Sequence, residues 1–418
     1  MTTAKTGKKR AADLSAASSL RDPMQISAQM ERLSLEDFMS RCTTQECGEM
    51  TDDMVTRLKT ESPGLSLPSL RHCALSANID ERLTNACIER LNWRQPISAG
   101  ASYCLAILDD GGVVGWGNDG QKEISGGTTA LPAGRRYVSV NADRGSTPRM
   151  KRDGTKSSGY HSIGLLDNGD IVEWGSMLRT TQGGVALVPA LPAGRRYVSV
   201  TSGEQHALAL RDDGEIVGWG DNTDGQLDVA PLPTGRKYVG VSAGSQWSLG
   251  LRDNGEVVGW GSLQLLEPQL QTGKVWRGPY VQVVSSADPD YSLALLDSGM
   301  PVTWGSSMVS ATQAARGALE SGAVGEGRRL VSVSAGSQHA VGLLDNGQAV
   351  AWGSDTRGQA SEGTGELERR GWRDFVAVSA AGSYSMGLRE SGTVVIWGSA
   401  LSIKPGAYSP PAGRKFAW

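Results

Sequence analysis

One short string recurs seven times and fixes most of what this chain can become. Trp-Gly occurs at Trp116, Trp174, Trp219, Trp260, Trp304, Trp352 and Trp397, with successive spacings of 58, 45, 41, 44, 48 and 45 residues. Five residues before each tryptophan lies a glycine: Gly111, Gly169, Gly214, Gly255, Gly299, Gly347 and Gly392. Each of these follows Asp, Asn or Ser, namely Asp110, Asn168, Asp213, Asn254, Ser298, Asn346 and Ser391. Asn-Gly or Asp-Gly between apolar runs is the strongest short-range hairpin signal. The expectation is seven hairpins in fixed register, each closed by a two-residue type I′ turn with positive φ at both central residues.

Two further strands precede each hairpin. The nearer is apolar, as in "HALAL" from His206, "WSLGL" from Trp247 and "YSMGL" from Tyr384. The farther alternates apolar with small polar residues, as in "YVSV" from Tyr137 and Tyr197 and "FVAV" from Phe375. Alternation implies a strand with unlike faces. Turn-rich linkers such as "LPAGRR" at 131–136 and 191–196 separate the units. A unit of about 45 residues built of short antiparallel strands reads as a propeller blade. One such sheet has exposed faces and cannot stand alone. Tryptophan fits the wide gap between neighbouring blades, and the following glycine lets the chain turn away. The fold class expected is therefore all-β, a seven-bladed β-propeller.

At this point the chain resembles the regulator of chromosome condensation repeat family. "SGEQHALALRDDGEIVGWGDNTDGQL" (202–227) follows its blade pattern nearly throughout, and "AGSQHAVGLLDNGQAVAWGSDTRGQ" (335–359) follows it too. The resemblance spans residues 92–418 and implies the family's seven-bladed ring. Blade 1 departs from the pattern, because its first strand would be "RQPISAG" (94–100), where Pro96 permits only an edge or irregular strand. The C-terminal "PAGRKFAW" (411–418) reads as the start of another repeat cut short. The expected remedy is ring closure, with Phe416 and Trp418 pairing beside blade 1.

Ahead of the ring the pattern changes. Residues 1–30, rich in Ala, Ser, Thr and Lys, read as a disordered tail. Residues 31–91 read as a short helical segment. Within it "IDERLTNACIERL" (79–91) carries Ile79, Leu83, Cys87 and Leu91 as an amphipathic stripe. The N-terminus is basic but lacks an apolar core, so no secretory signal is expected. No stretch is apolar enough to span a membrane. Five cysteines without scaffold spacing imply reduced thiols, and a cytoplasmic or nuclear setting. A net charge of −3 gives no footprint for nucleic acid.

Two insertions stretch the repeat. "ADRGSTPRMKRDGTK" (142–156) carries Arg144, Arg149, Lys151, Arg152 and Lys156, and reads as a long exposed loop of blade 2 available to a partner. "SSMVSATQAARGALESGAVGEG" (306–327) reads as containing a short helix.

Catalytic motifs are sought without result: G-x-x-x-x-G-K-[ST], H-E-x-x-H, C-x-x-C and G-x-S-x-G are all missing from the sequence. His161, His206 and His339 share one repeat position with Tyr103, Trp247, Tyr291 and Tyr384, which implies a packing or capping role. Cys42, Cys47, Cys73, Cys87 and His72 fall in the N-terminal segment with spacing that fits no known zinc pattern, so buried thiols are expected and no metal or cofactor. The function expected is a non-enzymatic scaffold that binds partner proteins. The loops before the repeated aromatic position would ring one end of the channel: Ala101, Glu204, Gln205, Ser245, Gln246, Ser337, Gln338 and Ser383. The alternative implied by the resemblance is guanine-nucleotide exchange on a small GTPase, which the founding member performs on Ran. Membership of a ubiquitin-ligase complex is a further option. Ultraviolet-B perception, known in a plant member, depends on tryptophans just after the repeat glycine. Here those positions hold Ala101, Glu204, Ser245 and Ser337, none of them Trp.

Overall fold

The structure is a computed structural model that describes residues 95–120, 122–143, 161–263, 274–286, 291–305, 308–322, 326–360, 373–399 and 403–417. The expectations for 1–30 and 31–91, for the N-terminal cysteines and for the insertion at 144–156 lie outside the described residues.

The described strands form seven small antiparallel sheets. Blade 1 holds β1 (Ile97–Ala99), β2 (Tyr103–Ile107) and β3 (Val113–Gly117). Blade 2 holds β4 (Tyr137–Ala142), β5 (His161–Leu166) and β6 (Ile171–Gly175). Blade 3 holds β7 (Tyr197–Ser202), β8 (His206–Arg211) and β9 (Ile216–Gly220). Blade 4 adds a fourth strand: β10 (Tyr238–Ala243), β11 (Trp247–Arg252), β12 (Val257–Gly261) and β13 (Val275–Trp276). Blade 5 holds β14 (Tyr280–Ser285), β15 (Ser292–Leu296) and β16 (Pro301–Trp304). Blade 6 holds β17 (Leu330–Ala335), β18 (His339–Leu344) and β19 (Ala349–Gly353). Blade 7 again has four: β20 (Phe375–Ala381), β21 (Tyr384–Arg389), β22 (Val394–Gly398) and β23 (Gly406–Tyr408).

Among the described residues, two helices bridge outer seams. α1 (Ser125–Ala130) packs on β3 and β6, and α2 (Val309–Glu320) packs on β16 and β19. The second is the helix expected in the insertion at 306–327.

The core is distributed between the blades. Seven apolar clusters are found among the described residues, one at each seam. That is why no blade can fold alone: each supplies half of two cores. The repeat tryptophans fill these seams as expected. Trp174, Trp219, Trp260, Trp304, Trp352 and Trp397 are buried, while Trp116 is half-buried. The glycine after each Trp has φ between 84° and 115°. At Gly261 a Cβ would lie 2.7 Å from the Gln246 carbonyl oxygen and 3.0 Å from Trp247 Cα, so only glycine passes.

The hairpin turns differ from the expectation. Only the glycine has positive φ, from 74° to 88° over the seven turns, and the sole described non-glycine residue with positive φ is Lys122. In blade 4 the Gly255 N–H donates to the Arg252 carbonyl (3.0 Å) and the Arg252 N–H to the Glu256 carbonyl (2.8 Å). The loop is thus three residues, Asp253 to Gly255, of the type I plus glycine-bulge kind rather than I′. The Asx preference has another cause: Asn254 Oδ1 accepts the Glu256 N–H at 3.3 Å, and Asp110 Oδ1 accepts the Gly112 N–H at 2.8 Å.

The ring closes where residues 414–417 meet blade 1. Phe416 bridges Leu108 antiparallel, as Tyr137 pairs with Leu166 in blade 2. The Asp109 N–H donates to the Lys415 carbonyl (2.8 Å), as Asp167 does to Arg136 (2.9 Å). The Ala417 N–H reaches the Ile107 carbonyl at 2.8 Å, and the Ile107 N–H reaches the Pro96 carbonyl at 2.9 Å. Blade 1's inner strand is therefore composite: Phe416 and Ala417 supply its first part and β1 its second. Pro96 sits at the join, where no ladder donor is required of it. Phe416 is 1% exposed. Arg414 clamps the join, with Nε to Asp109 Oδ1 at 2.8 Å and a second contact to Asp110. Trp418 lies outside the described residues.

Candidate functional site: the loop face and the seams that carry it

Each inner strand runs from a turn face, which carries the Asp-Gly hairpins, to a loop face. The channel at the centre is lined by the inner strands of six blades, with Gln95, Ser199, Thr201, Ser242, Gln282 and Ser334 on its wall. Three kinds of side chain fix this geometry.

The first is a belt of acceptors around the inner strands. Ser98 Oγ accepts the Ala142 N–H of blade 2 (3.0 Å), and Asn141 Oδ1 accepts the Ser202 N–H of blade 3 (3.2 Å). Thr201 Oγ1 accepts from Ala243 (3.4 Å), Ser242 Oγ from Ser285 (2.8 Å), Ser334 Oγ from Ala380 (3.0 Å) and Ser379 Oγ from Ala99 (3.0 Å). Six blades use the same strand position. Blade 5 has Val284 there, and Gln282 takes over: its Oε1 accepts the Val333 N–H (2.9 Å) and its Nε2 donates to the Val333 carbonyl (3.1 Å). Every seam thus has one side-chain bridge to a backbone N–H that burial would otherwise leave unpaired. The sequence showed the alternation, but not that its polar member reaches the neighbouring blade.

The second is the repeated His/Tyr/Trp position at the start of the second strand. Tyr103 OH donates to the His161 carbonyl (2.6 Å) and meets Ser162 Oγ (2.9 Å). His206 Nε2 meets Ser248 Oγ (3.0 Å), Trp247 Nε1 donates to Ser292 Oγ (3.0 Å) and His339 Nε2 meets Ser385 Oγ (2.9 Å). Tyr291 OH donates to the His339 carbonyl (2.5 Å), and Tyr384 OH to those of Gly100 (2.8 Å) and Tyr103 (2.9 Å). The expected packing and capping role is what the geometry shows. Burial pushes His161 and His339 down to about 4 and His206 down to about 3, so all three imidazoles are neutral at neutral pH. His161 Nδ1 is 3.7 Å from Asp143 Oδ2, too far for a hydrogen bond, so desolvation decides its charge.

The third is a shared carbonyl behind three of the Trp-Gly corners. The Gln226 carbonyl accepts from Ser248 Oγ (2.8 Å) and Trp260 Nε1 (2.9 Å), both from the next blade. The Gln359 carbonyl does the same for Ser385 (3.4 Å) and Trp397 (3.1 Å), and the Glu123 carbonyl for Ser162 (2.8 Å) and Trp174 (2.6 Å).

The residues expected to bind partners sit on the loop face, outside the channel wall. Glu204 and Gln205 are half-buried, as are Gln246 and Ser337, and Gln338 is exposed. Ser245 is only 1% exposed and turns inward. The backbone carbonyls of Gln205, Gln246 and Gln338 accept the N–H groups of Asp221 (2.9 Å), Ser262 (2.9 Å) and Ser354 (2.7 Å). The Ser337 N–H donates to the Gly382 carbonyl of blade 7 at 3.0 Å. The main chain of these loops is thereby fixed while most of their side chains keep solvent contact. Arg144, Arg149, Lys151, Arg152 and Lys156 lie outside the described residues. Among the described residues no helix is long and apolar enough to cross a membrane, and no cluster of potential metal ligands occurs.

The family profile described as the regulator of chromosome condensation (RCC1) repeat matches residues 197–226 and 330–359. The chain carries RCC1 repeats. The two matched segments are blades 3 and 6, and each ends at one of the shared carbonyls, Gln226 and Gln359. Human WBSCR16 is similar in structure, 17% identical over 71% of this chain and 87% of its own, with a TM-score of 0.53, a likeness that shows the fold. Also similar is Prp20p from Saccharomyces cerevisiae, a protein described with its binding properties to Gsp1p and histones. It is 17% identical over 70% of this chain and 81% of its own, with a TM-score of 0.49. The CRINKLY WD40 ectodomain of the Arabidopsis thaliana receptor kinase ACR4 is 18% identical over 74% and 96%, again with a TM-score of 0.49. No curated protein matches the chain.

Proposed function

We propose that this RCC1-repeat ring is a non-enzymatic scaffold that binds partner proteins through its loop face. The observation that supports it most is the use made of the titratable side chains. His161, His206 and His339, together with Tyr103, Tyr291 and Tyr384, are buried in the seams and lie at most 2% exposed. The neutral imidazoles of His206 and His339 bond across their seams and hold blades in register. The side chains that would meet a partner are those of Glu204, Gln205, Gln246, Ser337 and Gln338, on main chain pinned by the bonds above, with the basic residues of the insertion 142–156 as a second contact. A pre-ordered, polar surface of this kind binds with little ordering cost. The partners are proteins, met in a cytoplasmic or nuclear setting, with no cofactor involved.

The test is affinity capture with three baits: the full chain, residues 92–418, and the full chain lacking 144–156. A protein retained by the full chain, and weakened at least tenfold by Glu204→Arg with Gln338→Arg, supports the loop face as the contact. Retention unaffected by those changes and by both deletions removes the proposal. A fluorescent-nucleotide release assay on a Ran-type GTPase separates the exchange-factor alternative: acceleration of release by catalytic amounts of this chain would favour it.

A further inference from the structure

Six of the seven seams carry a side-chain bond from the first residue of the second strand into the next blade; the seam between blades 2 and 3 does not. At that seam the residue is His161, and its Nε2 has no hydrogen-bond partner among the described residues although the side chain is 2% exposed. The cause is a single residue. His206 and His339 each meet a serine hydroxyl, Ser248 and Ser385, at the second position of the facing strand. Blade 3 has Ala207 at that position. Tyrosine tolerates the loss of this serine. Tyr291 faces Ala340 and Tyr384 faces Cys104, yet their longer side chains reach backbone carbonyls instead. Histidine is too short to do so. The pairing of His161 with Ala207 is thus the one combination in the ring that leaves a latch open.

In the outer tier Trp174, Trp260 and Trp397 donate to backbone carbonyls, whereas at this seam Trp219 Nε1 donates to a side chain, Glu173 Oε1 at 2.8 Å, as Trp352 Nε1 does to Thr312 Oγ1 (3.2 Å) between blades 5 and 6. The inner belt is intact here, since Asn141 Oδ1 accepts from both the N–H and the hydroxyl of Ser202. The seam is therefore held at the channel by the Asn141 bonds, held at the rim by the Glu173 carboxylate, and unlatched between.

We propose that the seam between blades 2 and 3 is the joint at which the ring opens, ahead of the closure between blades 7 and 1. An opening there would spread blades 2 and 3 about the inner belt and alter the loop face locally without unfolding a blade.

Hydrogen–deuterium exchange on the full chain tests it. The proposal expects amides of β5, which carries His161 at this seam, to exchange faster than the corresponding amides of β11, across the latched seam between blades 3 and 4. Ala207→Ser supplies the missing hydroxyl and should slow exchange at this seam alone, by roughly fivefold, the effect of one net hydrogen bond. Should the added oxygen prevent folding, a second pair decides. His161→Phe should leave exchange at its seam unchanged, because no bond is lost, while His206→Phe should speed exchange between blades 3 and 4 by a similar factor. The proposal is overturned if His161→Phe speeds exchange as much as His206→Phe does. Fastest exchange at β1 and residues 414–417 would overturn it equally.

Discussion

At the scale of single residues, the ring depends on side chains that answer a buried backbone group in the neighbouring blade. Ser242→Ala removes the acceptor of the Ser285 N–H and should cost about 1–3 kcal/mol in denaturant unfolding, because that N–H is left buried and unpaired. Ser332→Ala, half-buried in blade 6 outside the belt, should stay within about 0.5 kcal/mol. Equal effects at the two sites would contradict the belt. Trp260, fully buried and bonded to Gln226, should cost about 3–5 kcal/mol on truncation to Ala, and the half-buried Trp116 less.

The histidines add a pH dependence of definite sign. Their folded pKa values lie below the unfolded value of about 6.5, so the unfolded chain binds more protons between the two. Stability is full above about pH 6.5 and falls as pH drops towards about 4. Each buried histidine contributes a slope of up to about 1.4 kcal/mol per pH unit in that window. His339→Gln should flatten the curve by one such share. A stability curve level from pH 6.5 to 4.5 would contradict neutral burial.

At the scale of elements, hairpins, strand register and the Trp-Gly corners were legible in the sequence, because each requires a particular residue at a fixed offset. Gly255 and Gly261 announce themselves by the positive φ that only glycine adopts readily. The turn type was not legible: Asn-Gly suits both the I′ loop and the three-residue bulged loop, and the side-chain bond of Asn254 to Glu256 tips it to the second. One consequence is testable. Asn254→Ala should cost only about 0.5–1.5 kcal/mol, the side-chain bond, with no left-handed strain added. A substantially larger loss would restore the I′ assignment. The belt was also hidden. Ser and Thr at the end of a strand look like a polar face, and the exchange of roles between Val284 and Gln282 becomes visible only when blade 6 is placed beside blade 5.

At the scale of the molecule, seven sheets that each own half of two cores form a closed ring. The loop-face residues were named from the repeat alone, since they precede its aromatic position, and the structure adds that Ser245 turns inward while the others keep solvent contact. The loop side chains proposed to meet a partner differ from blade to blade, so the repeat pattern does not specify a partner. Closure is the claim on which the rest depends. Blade 1 borrows Phe416 and Ala417 from the far end of the chain, and the cluster at that seam joins Ile97, Val376 and Phe416. The most direct measurement is the melting temperature of the chain ending at Pro410, beside that of the full chain. Removal of Phe416 from a closed core should lower it by several degrees or more, the loss of one large buried side chain. An unchanged melting temperature would mean that the ends do not close the ring.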